Sequence, residues 1–172
     1  MLPFFWQIEP LLFAAARGAG APLFMTQPDN FAVAARAIDT AETNTVITTA
    51  STAQAFAQDL TQHGDTHPDT WLLVGLFGET AHDLPIVASS ARVTSEIHIV
   101  PGVPILVQCE HLLMRKSYKQ FHVSEEFELS FEGGRVLATV RAPEVMPLFR
   151  LELPFSLKEV GSCQCGKSTM TL

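Results

Sequence analysis

Basic side chains are scarce in this sequence. Eleven Lys and Arg stand against eighteen Asp and Glu, for a net charge of −7 with His neutral, and only Arg115, Lys116 and Lys119 gather three cations closely. A phosphate backbone is gripped by clustered cations that displace its counterions, so no nucleic-acid partner is expected. Cysteine is sparse too, at three in 172 residues, which excludes a disulfide-stapled scaffold and points to a reducing cytoplasm where thiols stay free or bind metal. No apolar run reaches the ~18 residues of a spanning helix. The apolar start, Met1–Ala16, lacks a positive n-region and is interrupted by Glu9 and Pro10, so neither a membrane segment nor a secretory signal is expected. Also missing are G-x-x-x-x-G-K-[ST], G-x-G-x-x-G and any elbow around Ser89, Ser90, Ser95 or Ser117, which removes the usual nucleotide loops and serine nucleophiles.

Apolar sequence, by contrast, is plentiful. The hydrophobic share is 47%, charged residues make up 17% and mean hydropathy is +0.21, which excludes wholesale disorder. A chain of 18.8 kDa can bury a core as one domain. The two ends differ in charge. Residues 1–114 hold Arg17, Arg36 and Arg92 against eleven acids, whereas residues 115–172 hold eight basic against seven acidic groups.

Periodicity divides the chain into an α/β body, residues 1–115, and a β-rich end, residues 116–172. Ile8–Arg17 reads as a helix stopped by Gly18 and Gly20, followed by a short strand Ala21–Met25. Asp29 offers an N-cap for a helix Asn30–Glu42 with Phe31, Ala34, Ala35, Ile38 and Ala41 on one stripe. Thr45–Thr49 is β-branched strand sequence, and Ser51 with Gln54 forms a capping-box pattern opening a helix that carries Phe56 and Leu60. The continuous apolar run Trp71–Leu76 suits a strand covered on both faces. Alternating strands and helices imply βαβ units and a Rossmann-like, mostly parallel sheet. Beyond His122 the period becomes two: Phe127, Leu129 and Phe131 alternate with polar residues, Glu132–Gly133–Gly134 turns the chain, and Arg135–Arg141 returns. Leu148–Leu153 adds a further strand.

The chemistry lies in the cysteines. Cys163 and Cys165 sit two apart on a turn closed by Gly166, so both sulfurs can face one point. Cys109 with His122 completes a Cys3His set, an ordinary closed zinc site. On spacing alone His111, two residues from Cys109, competes with His122, and the three thiols have a bland alternative as one core hydrophobe and two free cysteines. His98 reads as a core histidine.

The order of these pieces resembles a known family. Gln108–Cys109–Glu110, Phe121–His122–Val123 with Glu125, Phe127 and Glu128, Gly134–Thr139, Met146–Arg150 and Cys163–Gln164–Cys165–Gly166–Lys167 look like the later part of the adenylate-forming domain of phenylacetate–coenzyme A ligases. Gly18–Pro22, Phe31–Ala41, Thr45–Ser51 and Gly78–Glu79 match its Rossmann-like half in order. Members activate a carboxylic acid with ATP and pass the acyl group to coenzyme A, and several carry a Cys, His, Cys-x-Cys metal site. The resemblance therefore implies zinc on Cys109, His122, Cys163 and Cys165, preferring His122 to His111. It places Gly78 and Glu79 near the adenine and Arg150 among the ligand contacts. Each also has a structural reading: strand-end turn, helix N-terminal carboxylate, and ion-pair partner of a strand-edge glutamate.

Departures weigh against catalysis. The family's phosphate loop and its lid with the catalytic lysine are absent from this sequence. The aromatic–Gly pair and the magnesium-contacting glutamate fall at Glu96, Ile97 and Val100, and the ribose-binding aspartate falls at Phe155. The expectation is a degenerate ligase-like domain acting as a zinc-stabilised binding or regulatory module. A subunit of a split ligase, or a thiol sensor built on Cys163 and Cys165, are the alternatives. Partners left open are a protein or second copy, a small carboxylic acid, and a nucleotide (ATP or AMP) or coenzyme A.

Overall fold

A computed structural model describes residues 4–23, 25, 30–40, 44–63, 67–76, 84–100, 103–117, 119–141 and 150–172. Helix α1 (Phe4–Ala19) contains the expected helical segment and starts earlier. It stops in a Schellman cap: Gly20 N–H reaches Arg17 O at 3.2 Å and Ala21 N–H reaches Ala16 O at 2.9 Å. The strand expected over residues 21–25 does not form, since positions 21–23 and 25 lie in no strand. Pro22 lacks the donor a ladder requires.

Helix α2 (Phe31–Thr40) is capped by Asn30, whose Oδ1 accepts the Val33 N–H at 3.3 Å. Asp29 and Ala41 lie outside the described residues. After strand β1 (Thr45–Thr48), helix α3 (Ala50–His63) is capped by Thr49 rather than by the expected Ser51. Thr49 Oγ1 accepts the Thr52 N–H at 3.4 Å, and its carbonyl accepts the Ala53 N–H at 2.9 Å. The strand ends one residue sooner than its β-branched composition suggests, which frees Thr49 for the cap. Ala53, Phe56, Ala57 and Leu60 share one buried stripe of α3, and Phe56 stacks on Phe31 of α2 at 5.3 Å.

Strand β2 (Thr70–Leu76) lies parallel to β1 and to β3 (Val93–Val100), with the short helix α4 (Leu84–Ser89) between β2 and β3 in sequence. Trp71 and Leu73 point to the side of α3 and of Val87 on α4. Trp71 Nε1 donates to Ser90 Oγ at 2.9 Å, so its polar end is satisfied. Val74 packs on the other face with Ile47, Ile97, Ile99 and Leu12 of α1. Each such fully buried side chain is worth ~1.5–3 kcal/mol, and β2 is covered on both faces, as its apolar run implies.

Parallel pairing ends at β3. Strand β4 (Val103–Val107) follows after two residues and pairs antiparallel, because so short a link can make a hairpin but not a crossover. Helix α5 (Glu110–Met114), β5 (Gln120–Val123), β6 (Phe127–Glu132), β7 (Arg135–Val140), β8 (Arg150–Glu152), β9 (Lys158–Ser162) and β10 (Ser168–Thr171) complete the order. The result is a mixed seven-stranded sheet, β1-β2-β3-β4-β5-β10-β9, and an antiparallel three-stranded sheet, β6-β7-β8. Antiparallel β4–β5 pairing carries the larger sheet across the 115/116 division. The β6–β7 hairpin closes on Gly133 and Gly134 at φ 56° and 81°, the two left-handed positions a type I′ turn needs. Phe127, Val136, Ala138 and Val140 of the small sheet share a core with Ile105, Leu106, Phe121 and Met170 of the large one. Among the described residues no helix is long and apolar enough to cross a membrane.

Candidate metal centre

Three segments deliver the four expected side chains to one place. Cys109 ends the β4 segment at the N-cap of α5, with φ −92° and ψ 167° and no side-chain cap bond, so its sulfur is free to turn elsewhere. His122 sits on β5, opposite Val107 of β4. Cys163 and Cys165 lie on the turn between β9 and β10, and β10 pairs with β5 through Met170 and Phe121. Their ligand atoms all fall within 4.8 Å of one another, a group able to hold a metal ion. Cys109 Sγ is 3.7 Å from Cys163 Sγ, and His122 Nε2 is 3.2 Å from Cys109 Sγ and 3.3 Å from Cys165 Sγ.

The surroundings fix the ligand geometry. His122 is buried, and its Nδ1 lies 2.7 Å from the Ser168 carbonyl. That carbonyl can only accept, so the proton resides on Nδ1 and the Nε2 lone pair faces the sulfurs. In the turn, Cys163 N–H donates to Lys167 O at 2.9 Å and Gly166 N–H donates to Cys163 O at 3.0 Å. Gly166 has φ 86°, left-handed backbone that lets the knuckle close without a Cβ penalty. A hydrogen bond from the Cys165 backbone, working against burial and aided by the neighbouring sulfurs and His122, lowers the Cys163 thiol from 9.0 to about 6. Cys165 receives the Lys167 backbone in the same way, but burial and the sulfurs of Cys163 and Cys109 outweigh it and raise its thiol. Lys167 Nζ donates to Glu125 Oε1 at 2.6 Å; this contact lowers the Glu125 carboxyl and, with the nearby sulfurs, raises the Lys167 ammonium.

Of the remaining expected site residues, those that are described lie outside this cluster. His111 is on α5 and outside the cluster. Gly78 and Glu79 lie outside the described residues. Arg150 on β8 contacts Glu132 Oε1 and, at 3.5 Å, Ser130 Oγ, both on the edge strand β6; it occupies the ion-pair role its structural reading described. His98 is fully buried with its ring edge-on to Phe121, centroids 4.8 Å apart. It is less satisfied than a core histidine should be. Its Nε2 is 3.2 Å from Glu96 Oε1, yet neither ring nitrogen has an aligned hydrogen-bond partner among the described residues. Sequence reasoning also missed the Ser168 carbonyl and the side chain of Gln108. The first carries no side-chain signal, and the second acts across strands whose pairing the sequence does not display.

No family model matches the chain, and no curated protein matches it.

Proposed function

We propose that Cys109, His122, Cys163 and Cys165 hold a structural zinc ion, in a domain related to phenylacetate-type ligases that serves binding or regulation rather than adenylation. The observation that carries the zinc assignment is the convergence of three sulfurs and one imidazole nitrogen within 4.8 Å from segments far apart in sequence. Zn–S of ~2.3 Å and Zn–N of ~2.0 Å at tetrahedral angles require S···S of ~3.8 Å and S···N of ~3.5 Å, against 3.7, 3.2 and 3.3 Å here. Four protein ligands leave no open position, which is the pattern of a structural rather than a catalytic ion. Bound there, zinc would act as a cross-link between β4, β5 and the β9–β10 turn. Three thiolates and a neutral imidazole around a dication carry one net negative charge, which the Lys167 ammonium, held by Glu125, faces from beside the thiols. Such a site belongs in a reducing compartment such as the cytoplasm, where the thiols stay available.

The non-adenylating part of the reading is supported by two side chains. Phe155, at the place the resemblance gives to a ribose-binding aspartate, packs against the C-terminal core, and a phenyl ring accepts no ribose hydrogen bond. Arg150 is occupied by Glu132. A protein partner or a small carboxylic acid is the ligand class such a module would take.

Elemental analysis of freshly purified protein should return one zinc per chain, and ATP–pyrophosphate exchange with a panel of aryl and alkyl acids should show no activity. Protein free of metal that binds none on titration would overturn the zinc assignment; exchange above background would overturn the non-catalytic one.

A further inference from the structure

One face of β3 carries three buried polar side chains, Thr94, Glu96 and His98, at 6%, 3% and 0% exposure. Thr94 Oγ1, Glu96 Oε1 and both His98 ring nitrogens have no aligned hydrogen-bond partner among the described residues. Burying such groups is costly, and two of the three residues are steadied from the neighbouring strands by residues adjacent to metal ligands. Gln108 precedes Cys109. Its Oε1 accepts the Glu96 N–H at 2.8 Å, while its Nε2 donates to Ser117 O and Gln120 O at 3.2 Å each. One side chain thereby ties β3, the exit of α5 and the start of β5. Phe121 precedes His122, and its ring meets the His98 ring edge to face at 4.8 Å.

We infer that occupancy of the Cys109–His122–Cys163–Cys165 centre governs the order of the buried Glu96–His98 pair, with Gln108 and Phe121 as the two links. The inference rests on the metal reading above. An ion bonded to Cys109 and His122 fixes the end of β4 against β5 to within a few tenths of an ångström. Without it these two residues share one sulfur–nitrogen approach at 3.2 Å, a weak polar contact. Gln108 makes three hydrogen bonds to three separate segments, and bonds of this kind weaken steeply as geometry departs from its optimum. Gln108 and Cys109 lie just past the β4–β5 ladder, which ends at Val107↔His122, so loosening of this end when the ion leaves releases the Glu96 amide and relaxes the contact of Phe121 with His98. Metal loading and the state of the β3 polar stripe are coupled, and the fold contains a metal-dependent ordering device.

The test is amide hydrogen exchange with imidazole NMR on the full chain, zinc-loaded against chelator-treated. Chelation should lower protection of the Glu96 amide by about fivefold, the loss of one ordinary hydrogen bond, and should move the His98 ring signals. Amides of Phe56 and Ala57 in α3 should stay unchanged. Equal Glu96 protection in both forms, with zinc stoichiometric in the loaded one, overturns the coupling while leaving the metal reading intact. A parallel loss in α3 overturns it as well, because that is global unfolding. Absence of zinc by elemental analysis defeats the metal reading and this inference together. The variant Gln108→Glu keeps an acceptor for Glu96 but loses both donors to the carbonyls. It should retain zinc, and its Glu96 protection should no longer respond to chelation; a response of wild-type size removes Gln108 from the link. If the variant fails to fold, the wild-type comparison decides.

Discussion

Cys165→Ser isolates the metal's contribution with the least damage to packing. Cys163 is buried, Cys109 half-buried and Cys165 exposed, so the smaller, harder serine oxygen at 165 costs little apolar contact and its effect is carried by ligation. Structural zinc in small peptides is bound with roughly 10–16 kcal/mol; shared over four ligands this is roughly 2.5–4 kcal/mol each, or about 100- to 1,000-fold in Kd. The linkage to folding follows mass action, RT ln(1 + [Zn]/Kd). At a fixed buffered zinc activity the variant should therefore lose about that much stability, while the metal-free forms of variant and wild type should unfold at nearly the same denaturant concentration. Competition against a chromophoric chelator reads Kd, and urea titration with and without chelator reads the coupling. A variant Kd within threefold of wild type, or a metal-free variant much weaker than the metal-free parent, would refute the reasoning. In the first case Cys165 is not a ligand; in the second its effect is packing.

Acidity should act through Cys163. Its folded value of about 6 lies below the ordinary 9.0, so in the metal-free, reduced chain it contributes stability that is present above pH 9 and lost as the pH falls toward 6. The raised Cys165 thiol has the opposite sign and acts only above the ordinary value. Metal-free stability measured by urea unfolding should thus rise between pH 6 and 9, and Cys163→Ala should flatten the curve; an unchanged slope in that variant would count against it. Lys116→Gly tests backbone strain. Lys116 holds φ 53° at the end of α5 with its N–H on Leu113 O and the Ser117 N–H on Leu112 O, at 3.0 Å each, a cap position that glycine fills without a Cβ clash. Thermal unfolding should show a gain of about 0.5–1 kcal/mol, and a loss would mean the lysine side chain is engaged.

Local features of this protein were legible in the sequence because they are written in short-range chemistry. The α3 stripe, the β6–β7 hairpin with its paired glycines and the Cys-x-Cys turn each depend on residues within a few positions. The choice between His111 and His122 did not, because both lie near Cys109 and only the placement of β5 between β4 and β10 separates them. The parallel sheet was anticipated for β1–β3 and extends as an antiparallel one, since an alternating pattern reveals which face of a strand is buried but not which neighbour it takes. Glu96 and His98 look unremarkable in a strand-like run. Their burial follows from what the sheet sets beside them: Leu73 of β2 next to Glu96, Leu106 of β4 next to His98, and the Phe121 ring edge-on to the imidazole.

Strand order also has a consequence for the folding route. Among the described residues, strand β9 reaches the large sheet through β10 alone, and β10 docks on β5 with Met170 opposite Phe121. The β9–β10 hairpin must therefore join the sheet through its second strand, and the closure of β10 on β5, Met170 against Phe121, spans nearly fifty residues of intervening polypeptide. Contacts of such long range slow folding, so this half of the molecule should consolidate last. In the interval the knuckle thiols stand unpartnered, and it is then, rather than in the finished protein, that they are most open to a wrong metal or to oxidation.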